Sequence, residues 1–117
     1  MSKTMKIGEI MKVLNANIVC GESHLETDVI SACGSDMMSD VLAFVKNQAV
    51  LLTGLVNPQV IKTAVMMDMY CIVFVRDKRP SPDMIELAED AGIVLLSTGL
   101  RMFESCGILY DHGLRGS

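Results

Sequence analysis

Three short apolar runs, each closed by small or polar residues, restrict this chain more than anything else in it. Val50-Leu51-Leu52 ends at Thr53-Gly54, Ile72-Val73-Phe74-Val75 ends at Arg76, and Ile93-Val94-Leu95-Leu96 ends at Ser97-Thr98. Runs without polar alternation read as strands buried on both faces, the environment of a parallel sheet covered by helices. Asn57-Pro58 and Ser81-Pro82 stand between them. Each is a capping side chain followed by proline at the first helical position, where a missing N–H costs nothing. Strand then capped helix, repeated, places the carboxyl ends of the strands on one edge, where open α/β sheets receive ligands. Each crossover is expected to be right-handed.

The rest of the chain extends this pattern. Ile7, Ile10, Met11 and Leu14 have helical spacing, and Ile18-Val19-Cys20 and Val29-Ile30-Ser31-Ala32-Cys33 read as strands stopped by Gly21 and Gly34. Met38, Val41, Leu42 and Val45 predict a short helix with Asp36 or Ser39 as N-cap, closed by Lys46-Asn47-Gln48. Val60, Ile61, Ala64, Val65 and Met67 form one apolar stripe; Met84, Leu87, Ala88 and Ala91 form another, with Gly92 as a C′ residue. Thr98 is placed to cap a last helix carrying Met102, Phe103 and Cys106 and ended by Gly107. The tail 111–117 has no periodicity and is expected to be mobile. The order is α-β-β-α-β-α-β-α-β-α: an α/β, three-layer domain with a mostly parallel central sheet, spanning residues 1–117 as one unit.

Composition narrows the function. With three Phe, two Tyr, no Trp and ten Met, the core must be built from Leu, Ile, Val and methionine. The net charge of −4 argues against nucleic acid and against an anionic membrane as partners, since both need a basic field. Arg76-Asp77-Lys78-Arg79 reads as a solvated loop. No run is long enough to span a bilayer and no export signal is visible, so a cytoplasmic location is expected. Cys20, Cys33, Cys71 and Cys106 are then reduced, inert core thiols. His24 and His112 lie far apart without ligand spacing, and neither a metal nor a cofactor is expected.

Catalytic constellations are missing. There is no G-x-x-x-x-G-K-[S/T] loop, no G-x-G-x-x-G, and no support for a histidine-based triad. Glu86, Glu89 and Asp90 are spaced to decorate the outer face of a helix. No enzyme is expected. What remains is a ring of strand-end residues: Gly34, Asp36, Thr53, Gly54, Asn57, Arg76, Ser97 and Thr98. A glycine admits close backbone approach, a helix N-terminus offers free N–H groups, and Arg76 adds positive charge. Together they suit an anionic or nucleotide-like ligand.

The stretch Gly34-Ser35-Asp36-Met37-Met38-Ser39-Asp40-Val41-Leu42, followed by Leu51-Leu52-Thr53-Gly54 and Asn57-Pro58-Gln59, resembles the DRTGG domain family. The likeness continues through Cys71-Ile72-Val73-Phe74-Val75 and Val94-Leu95-Leu96-Ser97-Thr98. Asp36 matches the family aspartate, and Thr53 and Gly54 match its threonine and first glycine. Met37 stands at the arginine position and Leu55 at the second glycine, so an anion role for that arginine does not transfer. The resemblance implies a fold like the N-terminal domain of HPr kinase/phosphorylase. It also implies kinship with modules in phosphotransacetylases and between CBS domains of pyrophosphatases, where the domain is regulatory or oligomeric. Two expectations follow: a non-catalytic regulatory module that self-associates as a homodimer and contacts a partner protein, or a sensor of a nucleotide or phosphorylated metabolite at the strand-end edge.

Overall fold

The structure is a computed structural model and describes residues 4–44 and 48–116. Val45, Lys46, Asn47 and Ser117, to which the helical stripe and the tail extend in sequence, lie outside the described residues. The elements are β1 (Met5–Lys6), α1 (Ile7–Val13), β2 (Asn17–Cys20), a 3-10 turn (Glu22–His24), β3 (Asp28–Val29), β4 (Ser31–Gly34) and α2 (Met38–Phe44). They continue with β5 (Ala49–Thr53), α3 (Pro58–Met66), β6 (Cys71–Phe74), α4 (Pro82–Ala91), β7 (Val94–Ser97) and α5 (Met102–Asp111). The main sheet has the order β2-β7-β6-β5-β4. Strands β4 to β7 are parallel, and β2 joins the β7 edge antiparallel. This is the mostly parallel sheet that the apolar runs require.

Alternation along the buried strands divides the interior into two layers. Leu51, Ile72, Phe74 and Leu95 pack with Val41 of α2, Val60, Ile61 and Ala64 of α3, and Met84 and Ala88 of α4. Val50, Leu52, Val73 and Leu96 face the other way, onto Ile7 and Ile10 of α1, Leu14 and Leu109 of α5. Both faces are therefore apolar, which is why the runs lack polar alternation. The two proline-headed helices start where expected: Asn57 Oδ1 accepts from Gln59 N at 2.8 Å, and Ser81 Oγ accepts from Met84 N at 3.3 Å. Gly92 caps α4 at φ 72°.

Four local expectations are corrected. The strand read over 29–33 is broken. Val29 pairs antiparallel with Met5 in a two-stranded ribbon, while Ser31–Gly34 enters the main sheet. Neither Asp36 nor Ser39 caps α2, which begins at Met38, because the Asp36 carboxylate is used across the sheet. Thr98 does not cap α5; its hydroxyl donates to Leu14 O at 2.7 Å and accepts from Leu100 N at 3.2 Å, and Gly107 lies inside a helix that runs on to Asp111. The tail is docked rather than loose. Leu114 is buried in the α1/α5 layer, Arg115 O accepts from Ala32 N at 3.0 Å, and the Arg115 guanidinium stacks on Tyr110 at 3.8 Å. Among the described residues no helix is long and apolar enough to cross a membrane.

Candidate functional site

Strand register brings the predicted residues to one edge. Gly34 lies opposite Leu52, Thr53 opposite Phe74, and Phe74 opposite Ser97, so the carboxyl ends of four parallel strands finish level. The helices that follow begin here, which leaves their unpaired N–H groups and positive dipole ends on this side.

Asp36 organises the first half of the edge. Its Oδ1 accepts from Thr53 Oγ1 at 2.9 Å and from Gly54 N at 2.7 Å, while Thr53 Oγ1 accepts from Leu55 N at 3.1 Å. A carboxylate receiving two donors is a stronger partner than a neutral acceptor. The aspartate, threonine and glycine are thus one clasp, joining the loop after β4 to the end of β5. Thr53 is fully buried and its hydroxyl fully used. Asp36 Oδ2 has no hydrogen-bond partner among the described residues.

Arg76 and Asp77 organise the second half. Both hold φ at 57°, a left-handed conformation that the short side chain of Asp77 tolerates but that costs Arg76 about 1–2 kcal/mol. Two short bonds retain the turn: Arg76 N donates to Leu100 O and Asp77 N to Thr98 O, each at 2.8 Å. The turn sends the Arg76 side chain back across Gly54. A Cβ on Gly54 would lie only 2.6 Å from Arg76 Nη2, so the glycine makes room for the guanidinium. Gly34 is equally tight, since a Cβ there would collide with Cys106 Sγ.

An open cleft of about 440 Å³ lies between these halves, lined by Gly34, Ser35, Asp36, Val75, Arg76, Arg101, Met102 and Phe103. Neither guanidinium in it makes an ion pair or side-chain hydrogen bond among the described residues. Of the residues singled out from sequence, Gly34, Asp36 and Arg76 line the cleft, with Thr53 and Gly54 directly behind. Asn57 is spent as the α3 cap. Ser97 Oγ donates to Lys78 O at 2.9 Å, and Thr98 ties the edge to α1, so both hydroxyls point inward.

Arg101 and Phe103 were not singled out. Phe103, expected on the last helix with Met102 and Cys106, is 88 % exposed. The true stripe on α5 is Met102, Cys106 and Leu109, at i, i+4 and i+7. Phe103 is out of phase with it by one residue. That phase was legible. Arg101, exposed and just ahead of α5 as a helix N-cap without a capping side chain, carried no such signal.

Burial disfavours the thiolate form of all four cysteines. Burial raises the pKa of Cys106, and that of Cys33, where neighbouring Cys106 and Asp40 push further in the same direction. Burial likewise raises Cys20 and, most strongly, Cys71 at the start of β6. Among the described residues no three His, Cys, Asp or Glu side chains gather as a metal cluster.

A second concavity, more enclosed and about 380 Å³, opens at the opposite edge beside Ile7, His24, Val65, Asp68, Tyr70 and Gly92. Enclosure alone does not make it the better site. Its walls are largely apolar, it adjoins the carboxyl ends of α3 and α4, and no arginine lines it among the described residues.

Residues 9–110 match the DRTGG domain. The chain belongs to the DRTGG domain family. No curated protein matches it. Among solved structures, this DRTGG domain is similar to the CBS and DRTGG domains of the regulatory region of Clostridium perfringens pyrophosphatase, crystallised with its activator, diadenosine tetraphosphate. The TM-score is 0.72 at 14 % identity, over 93 % of this chain and 47 % of that one. The chain thus spans about half of that structure, and the likeness is one of fold.

Proposed function

We propose that this DRTGG domain is a non-catalytic regulatory module that takes up a small anionic ligand in its strand-end cleft. One observation carries the reading: the Arg76 guanidinium, unpaired, is held over Gly54 by a strained turn. An arginine that merely decorated the surface would need neither the strain nor the glycine. A ligand between Arg76 and Arg101 would touch segments from three places in the chain: the loop after β4, the turn after β6 and the start of α5. Drawing them together gives a binding event a structural consequence, the requirement for a regulatory device. The pyrophosphatase region of similar fold, itself regulatory and bound to a nucleotide activator, supports this assignment. The raised thiols and the lack of a paired acid and base speak against chemistry at the site.

Thermal unfolding with inorganic tripolyphosphate, pyrophosphate and phosphorylated metabolites tests the reading. A ligand at 100 times its dissociation constant adds ~2.7 kcal/mol. Arg76→Gln should remove that stabilisation. Failure of every anion to stabilise at millimolar concentration would leave the cleft without a role.

Self-association and contact with a partner protein form a second reading, favoured by a different surface. Leu42 of α2, Val65 and Met66 of α3, and Leu87 of α4 are all exposed on the same helical layer, Met66 at 68 %. Exposed apolar side chains on one helical layer are what a homodimer or a partner can cover. Light scattering should show a dimer that Met66→Glu disrupts; a strict monomer at high concentration counts against it.

A further inference from the structure

We propose that the ligand is a nucleotide, with its base stacked on Phe103 and its phosphates between Arg76 and Arg101. This inference rests on the anion-binding reading and goes on to name the chemical class. The cleft, at about 440 Å³, falls within the range of small-molecule sites and accommodates a base, a sugar and a short phosphate chain. Its charged and apolar components are separate. Arg76 and Arg101 come from different elements, and each guanidinium offers a planar fork that matches phosphate oxygens. Phe103, on the first turn of α5, exposes 88 % of its surface on the same rim, while Met102 beside it turns toward the core.

A phosphorylated sugar or an acyl phosphate has no use for that ring. A base does, because every base presents a π face to an aromatic platform. Asp36 adds discrimination. Its Oδ2 is free to accept from a ribose hydroxyl or an exocyclic amine, and the same negative charge opposes a bare polyphosphate that would fill the cleft with anionic oxygens.

Calorimetric titration of the intact chain with ATP, adenosine and inorganic tripolyphosphate tests this. ATP should bind about tenfold more tightly than tripolyphosphate, the size of effect that base–aromatic stacking supplies. Phe103→Ala, at an exposed position that does not threaten folding, should bring ATP affinity most of the way to the tripolyphosphate level and leave tripolyphosphate unchanged. Arg101→Gln should weaken both. Equal affinity for ATP and tripolyphosphate, with no effect of Phe103→Ala, would overturn the nucleotide assignment while leaving the anion site standing. Absence of binding by both phosphates would overturn the two together.

Discussion

The two ends of the central sheet are built to opposite ends. At the carboxyl edge the chain spends stability: a left-handed arginine, two guanidiniums unpaired among the described residues and an aromatic ring in water. At the amino edge it conserves stability. Most turns there are made by residues that suit them, Gly21 at φ 94°, Gly92 at φ 72° and Asp68 at φ 52°, whose short polar side chain tolerates the left-handed region; Gln48, at φ 58° ahead of β5, is the exception. Local agreement between residue and conformation is the mark of a scaffold, and local disagreement the mark of a site. The comparison predicts that substitutions at the amino edge damage folding without touching ligand affinity, and that those at the carboxyl edge do the reverse.

The largest expected effect lies at the amino edge. Gly21→Ala combines a left-handed side chain with a Cβ only 2.9 Å from Val94 Cα, and backbone cannot swing aside. Strain and overpacking together should cost about 3 kcal/mol in denaturant unfolding, with ATP affinity of the folded fraction unchanged. Asp36→Ala comes next and straddles the distinction, for it removes the acceptor of both Thr53 Oγ1 and Gly54 N. A loss of about 2 kcal/mol is expected, and a crystal structure of the variant should show the loop after β4 detached from Thr53. Gly54→Ala should cost under about 1 kcal/mol, since the group it meets is the mobile end of an arginine, yet displace Arg76 and weaken anion binding about tenfold. If it proves as damaging to stability as Gly21→Ala, the two edges do not differ in kind.

A smaller effect comes from pH. Burial raises the four thiols on folding, so the charged form is disfavoured in the native state. Their contribution is fully present below the ordinary thiol range and is lost as pH rises through the raised native values. Unfolding free energy should therefore decline on the alkaline side, and native thiols should alkylate with iodoacetamide more slowly than free cysteine at pH 8. Alkylation of Cys106 at the free-thiol rate would reopen a chemical role for the cleft's neighbourhood.

Much of this architecture was legible because its signals are local. Asn57-Pro58 and Ser81-Pro82 write their caps within three residues, and unbroken apolar runs announce burial on both faces. Strand direction is not written in a two-residue period, so nothing in Ile18-Val19-Cys20 announced that β2 runs against β7. The Asp36 clasp was hidden for a related reason. Its partners Thr53 and Gly54 are 17 and 18 residues away, whereas a local reading of Asp36 finds only a helix cap. The tail lacked period because one side chain, Leu114, anchors it. Phe103 shows itself only in helical phase, one residue off the stripe of Met102, Cys106 and Leu109, and Arg101 looks like any exposed arginine ahead of a helix.

The turn at Arg76 and Asp77 has a consequence for anyone who breeds this domain for endurance. Glycine in place of Arg76 would relax the backbone by more than it adds to the freedom of the unfolded chain, a gain of roughly 0.5–1 kcal/mol. A library sorted only by heat would drift toward that glycine. Its winners would be sturdier proteins and, on the proposed reading of the anion site, would have lost the side chain that holds the ligand.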